Sequence, residues 1–252
     1  MKKQLNNVGL LIIGDELLGG RRADKHFAHA CSYFGSHGVD LSWVYYIGDD
    51  KRVLVEHLKM IKDRGDVCFS FGGIGATPDD RTRQAMAQAH NLKITRHPEA
   101  VRRIESRFGA DAYPNRILMA ELPENAELIP NHYNDIPGFF IESIYCLPGF
   151  PEMAWPMIEW VVDNRYRLPI SSGPAFESLI VFGAHESELI PLLEAAQEQY
   201  PGLKLSSLPR FPREGTRQLE LGARGDKQHV HQVINMLKEA LVTKGYQIHE
   251  NS

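Results

Sequence analysis

Gly72-Gly73-Ile74-Gly75-Ala76-Thr77-Pro78-Asp79-Asp80 sits between the apolar run Val67-Cys68-Phe69-Ser70 and a helix-forming stretch from Thr82 to Ala89. Three glycines within four residues after a buried strand allow close backbone approach to a ligand. They also leave amides free for an anion at the N-terminus of the following helix. The same order of strand, turn and helix recurs upstream. Val8 to Ile13 is a short apolar run, the pattern of a strand covered on both faces. Asp24 can cap a helix with Phe27, Cys31 and Phe34, and Ala30 beside them, as its apolar face; Gly38 ends it. Val39 to Ile47 reads as a second strand, and Asp49-Asp50 precede a helix with the face Leu54, Leu58 and Ile61. This alternation predicts a mostly parallel sheet with helices on both sides.

Downstream, the pattern predicts a helix near 98–108 and strands near 126–130 and 138–147. The turn Pro148-Gly149-Phe150-Pro151 then leads into a helix carrying Trp155, Met157, Trp160 and Val161. Arg167-Leu-Pro-Ile-Ser-Ser-Gly-Pro174 breaks the composition and reads as an interdomain linker. It divides the chain into a domain over 1–168 and a second over 174–252. The second has the order βαββαβ of a ferredoxin-like plait, with helix faces Leu189, Leu193, Ala196 and Val230, Ile234, Leu237, Leu241. Its basic loop with Arg210, Arg213 and Arg217 is a candidate lid or a solvated hairpin tip.

The 252 residues are 43% hydrophobic and 24% charged, with net charge −4, which is globular composition and argues against nucleic acid or an anionic membrane as partner. No apolar run approaches the roughly 20 residues of a spanning helix. Cys31, Cys68 and Cys146 are too widely spaced for a metal knuckle or a disulfide framework, so a cytoplasmic setting with buried, inert thiols is expected.

The glycine-rich turn lacks Gly-Lys-Ser/Thr and is not a GxGxxG fingerprint. Its two carboxylates would repel a bare phosphate, a conflict that a divalent cation between carboxylate and phosphate resolves. Either aspartate can equally cap the next helix. Gly14-Asp15-Glu16 and Gly48-Asp49-Asp50 also follow strands, and in an open α/β sheet those strand ends line the ligand crevice. His26/His29 and His229/His231 lack metal-binding spacing and read as surface or packing residues; no GxSxG elbow is present.

With these residues quoted, the chain resembles the molybdopterin-binding domain family of molybdenum-cofactor biosynthesis. Within it, the CinA-like branch is the nearest likeness. The motifs are Ile13-Gly-Asp-Glu-Leu-Leu-Gly19, Ile47-Gly-Asp-Asp50 and Gly72 to Asp80, joined by Leu122-Pro123-Glu124, Pro137-Gly138-Phe139 and Leu147 to Pro151. The resemblance implies a three-layer α/β/α sandwich on a mostly parallel mixed sheet. The deamidase domain that follows in CinA is expected to be absent. Two activities are implied. One is divalent-metal-dependent hydrolysis of a nucleotide pyrophosphate, ADP-ribose or a dinucleotide such as FAD. The other is non-catalytic binding of molybdopterin or a nucleotide. For hydrolysis, Asp49, Asp80 and Glu16 would be both catalytic and metal-holding, with Mg²⁺, Mn²⁺ or Co²⁺. Gly72, Gly73, Gly75, Thr77, Asp24 and Gly149 would bind substrate. A homo-oligomer with a small nucleotide or pterin ligand is expected. The chain departs from the family pattern at Lys25-His26 (usually Thr-Asn), Ala76 (Pro), Met119 (Gln) and Asn134 (Gly). His26 and Met119 thereby replace two ligand-contacting amides.

Overall fold

The structure is a computed structural model that describes residues 2–168, 174–210 and 216–251. Two compact units divide the chain, Met1–Ser171 and Ser172–Ser252. Most of the linker, 169–173, and Arg213 of the basic loop lie outside the described residues. Of the two other arginines of that loop, Arg210 pairs with Glu220, and Arg217 reaches His185 Nδ1 at 2.7 Å.

The first unit runs β1 (Lys3–Gln4), β2 (Val8–Ile13), α1 (Asp15–Leu18), α2 (His26–Ser36), β3 (Leu41–Ile47), α3 (Lys51–Arg64), β4 (Val67–Phe71) and α4 (Thr82–Ala89). It continues with β5 (Ile94–Arg96), α5 (Pro98–Phe108), two 3₁₀ turns, β6 (Glu121–Pro123), β7 (Glu127–Ile129), β8 (Gly138–Ile141), β9 (Ile144–Leu147), α6 (Pro151–Arg165) and β10 (Tyr166–Arg167). The main sheet has the order β3-β2-β4-β9-β8-β7, with β3, β2, β4 and β9 parallel and β8 antiparallel to β9. All six residues of β2 are buried because both sheet faces are covered. Leu11, Ile13 and Cys68 pack under α3, α4 and α5, whereas Leu10, Ile12, Phe69 and Phe71 pack under α2 and α6. The result is an α/β/α sandwich with a mixed, mostly parallel sheet.

The second unit forms β11 (Ala175–Phe182), α7 (Glu186–Gln199), β12 (Lys204–Arg210), β13 (Gln218–Gly225), α8 (Lys227–Thr243) and β14 (Gln247–Asn251). Its antiparallel order β12-β13-β11-β14 is that of the plait, and Leu189, Ala196, Val230, Ile234, Leu237 and Leu241 fill its core. Among the described residues no helix is long and apolar enough to cross a membrane.

Three local expectations need correction. The buried stripe of α2 is His26, Ala30 and Phe34, while Phe27 is 44% exposed and Cys31 is exposed too. Phe34 belongs to both faces, while His26 and Ala30 take the inner positions expected of Phe27 and Cys31. The thiols of Cys68 and Cys146 are buried as expected, so Cys31 alone departs. The strand foreseen over 138–147 is a hairpin, turned at Glu142 with φ 56°.

Candidate functional site

The parallel strands end on one edge, and a cleft of about 750 Å³ opens there. Turns after β2, β3, β4 and β9 supply its walls. Gly14 N–H donates to Ile47 O at 3.0 Å and Gly72 N–H to Leu147 O at 3.0 Å, tying adjacent strand ends together. All nine expected site residues, Glu16, Asp24, Asp49, Gly72, Gly73, Gly75, Thr77, Asp80 and Gly149, line this cleft.

The glycine-rich loop is shaped by its glycines. Gly72 has φ 101°, and a Cβ there would stand 2.7 Å from Ile13 O. Gly73 has φ 68°, and its Cβ would meet Thr82 Oγ1 at 2.3 Å, so its missing side chain makes room for the protein's own helix rather than for a ligand. Thr82 closes the turn: its N–H donates to Gly73 O at 2.9 Å and its hydroxyl to Gly72 O at 3.0 Å. Gly149 is different, because a Cβ there would only touch Gly72 Cα at 3.5 Å. The amides of Gly73, Ile74, Gly75 and Ala76 donate to no acceptor among the described residues.

Some of the carboxylate oxygens bond within the protein. Asp80 accepts from the Thr77 amide at 2.9 Å and from the Thr77 hydroxyl at 2.5 Å. Behind the loop, Arg83 is 3% exposed. It donates to Gly75 O at 2.7 Å, to Glu121 O at 3.0 Å and to Leu118 O. Burial pushes the Arg83 guanidinium pKa down, against the charges of Asp80 and Glu121. Asp80 therefore already has a cation near it. Asp49 and Asp15 exchange bonds: Asp15 N–H donates to Asp49 Oδ2 at 2.9 Å, and Asp49 N–H to Asp15 Oδ1 at 3.3 Å. Gly48 permits this, since a Cβ there would lie 2.3 Å from Asp15 Oδ1. Partial burial pushes the Asp49 pKa up, and the charges of Asp15, Glu16 and Asp79 add to that while the Asp15 amide opposes it. The Glu16 carboxylate folds back over Gly14. Asp24 caps α2, accepting from the amides of His26 at 2.8 Å and Phe27 at 3.0 Å, and it also takes the Tyr46 hydroxyl at 2.8 Å.

Among the described residues no group of three or more His, Cys, Asp or Glu is placed to hold a metal ion by protein side chains alone. Asp49, Asp80 and Glu16 line one cleft, where Asp80 Oδ2 accepts from Thr77 and Asp49 Oδ2 from the Asp15 amide.

Further residues line the cleft beyond the nine expected ones. Phe150 is 52% exposed, with the Arg22 guanidinium 5.4 Å from its ring centroid. Asn131 is 3% exposed and donates to Asn134 Oδ1 at 2.8 Å and Ile136 O at 3.0 Å, which fixes the far wall. His26 is 4% exposed, stacked on Phe71 at 4.3 Å, with Nε2 3.3 Å from Gly149 O; burial lowers its pKa. The packing role expected for His29 is seen in its stack on Trp155 at 4.0 Å.

Comparison with known proteins agrees with this geometry. The family described as "Probable molybdopterin binding domain" matches residues 9–168. A CinA-like protein of Syntrophotalea carbinolica is 31% identical over 218 residues, 82% of this chain and 52% of that protein. One from Geotalea uraniireducens is 29% identical over 217 residues, 81% of this chain and 51% of that protein. The chain thus spans about half the length of the curated relatives it matches. The crystal structure of the protein CinA, of unknown function, from Thermoplasma acidophilum superposes with a TM-score of 0.59 at 24% identity. That likeness covers 64% of this chain and 98% of the other, and speaks to the fold. With its match running from the first buried strand to the end of α6, the chain belongs to the molybdopterin-binding domain family.

Proposed function

We propose that the cleft binds a phosphate-bearing pterin or nucleotide without catalysing its hydrolysis, in the service of molybdenum-cofactor metabolism. The observation that carries this reading is the run of four amides, Gly73 to Ala76, left without protein acceptors in one turn of the cleft wall. Such a run takes the oxygens of a phosphate. Carboxylates of Glu16, Asp49 and Glu152 elsewhere on the wall suit the amino and ring N–H donors of a pterin or purine. Arg22 and Lys25 offset part of the acidic charge, and the exposed face of Phe150 offers a surface for a planar ring. The cleft volume falls within the roughly 300–1,000 Å³ of ordinary ligand sites.

Calorimetric titration with molybdopterin and with ADP-ribose in EDTA tests it, run beside an assay of AMP release from ADP-ribose in Mg²⁺ or Mn²⁺. Saturable binding of at least one in EDTA, with no AMP release, is expected. Metal-dependent AMP release would restore the pyrophosphatase expected from the sequence, and failure of both ligands to bind would sink the proposal.

A further inference from the structure

A second cavity, about 400 Å³, lies at the other end of α6 and shares no lining residue with the cleft. The fifteen residues of α6 rise about 22 Å between the two. Its walls are Lys2, Lys3, Tyr145, Asn164, Arg165 and Tyr166. Each of these side chains carries a hydrogen-bond donor, and none is a carboxylate. The chain start is held across it by the parallel pairing of β1 with β10, Lys3 opposite Tyr166.

Some of these donors are already used. Lys2 donates to Asp163 O, at the carbonyl end of α6, and Asn164 donates to Trp160 O at 2.7 Å. Arg165 reaches Glu127 at 3.5 Å and lies 4.1 Å from the Phe140 ring centroid. What is left faces one cavity. Lys3 makes no ion pair among the described residues. Tyr145 and Tyr166, 1% and 4% exposed, share one hydrogen bond of 2.7 Å between their hydroxyls. Two hydroxyls hold two protons and the shared bond uses one, so one buried O–H has no acceptor among the described residues. A buried donor without an acceptor is costly, and a bound oxyanion would satisfy it.

We propose that this cavity is a second binding site, for a small phosphate-bearing anion, taken by the Lys3 ammonium and the spare tyrosine proton, with the Arg165 guanidinium, shared with Glu127 and Tyr145, adding charge. The site does not depend on the reading of the cleft. Calorimetric titration of the full chain with inorganic phosphate and with ribose 5-phosphate, at ionic strength held constant with sodium chloride, tests it. One saturable site beyond any in the cleft is expected for at least one of the two, and the tighter one tells a free ion from a phosphomonoester. Lys3→Gln should weaken it about tenfold, the loss of one charge-assisted hydrogen bond. Tyr166→Phe should weaken it as well, and Thr77→Val, in the cleft, should leave it unchanged. Lys3 is exposed, so Lys3→Gln carries the test even if Tyr166→Phe fails to fold. No saturable binding of either anion beyond the cleft, or an affinity that Lys3→Gln leaves unchanged, overturns the proposal.

Discussion

Replacing Arg83 with Met tests how the glycine-rich loop is held. The guanidinium joins Gly75 O to Leu118 O and Glu121 O across more than thirty residues of sequence, from a position 3% exposed. Met preserves the apolar stem and fills much of the volume, so the change isolates the fork. Three carbonyls lose a charged donor, and the neighbourhood of Asp80 and Glu121 loses a positive charge. At about 1–3 kcal/mol for each buried group left unpaired, with part recovered as the loop relaxes toward water, the loss comes to about 3 kcal/mol. For a unit of this size that is roughly 6–12 °C in melting temperature. The assay is simple because Trp43, Trp155 and Trp160 are the chain's three tryptophans, and all lie before residue 168. Tryptophan fluorescence therefore follows this unit alone. Arg83→Lys, with charge but no fork, should fall in between, and both variants should weaken ligand binding as Gly75 comes loose. A melting temperature for Arg83→Met within about 2 °C of the parent would refute the reasoning, since the lost carbonyl bonds would then be offset by relief of the buried guanidinium's desolvation.

Three further outcomes follow from the same geometry. Gly73→Ala should destabilise by about 2–3 kcal/mol, through its left-handed backbone and the displaced Thr82 hydroxyl, while Gly149→Ala should melt as the parent does; equal melts for the two would contradict the loop geometry. Asp49→Asn should melt at the same temperature or higher at neutral pH, because partial burial and three neighbouring carboxylates disfavour its charge and Asn still accepts from the Asp15 amide; a clear drop in melting temperature would show that the charge itself is needed. His26 has a folded pKa below its ordinary 6.5, so the unfolded chain binds the extra proton and stability falls as pH drops below about 6.5. The fluorescence melt should therefore lose less between pH 7.5 and 5.5 in His26→Asn than in the parent, and identical losses would remove His26 as the cause.

Strand β2, the helix face Leu54, Leu58 and Ile61, and the C-terminal plait were legible because periodicity and burial coincide there. The edge of the sheet was legible too, since glycines and acids after successive strands can meet only at the strand ends. What could not be read was where each side chain spends its bonds. Asp80 and Asp49 look alike in a linear sequence, yet Asp80 Oδ2 takes the Thr77 amide and hydroxyl whereas Asp49 Oδ2 takes the Asp15 amide across thirty-four residues. Arg83 gave no signal because it sits inside an unremarkable helix, and its three acceptors come from other segments. That Gly73 must be glycine for its φ of 68° and the approach of Thr82, apart from any ligand, could not be read either. Short β5 and β6, three residues each, carry too little pattern to be seen.

Hydrogen-exchange mass spectrometry with and without saturating molybdopterin or ADP-ribose measures the central claim most directly, since it reports where the ligand sits. The account predicts slowed exchange in the peptides covering 14–26, 72–83 and 148–153, with the amides of Gly73 to Ala76 among those most protected, and no change over 174–251. Bound ligand that leaves 72–83 unprotected, or that protects the second unit instead, would contradict it.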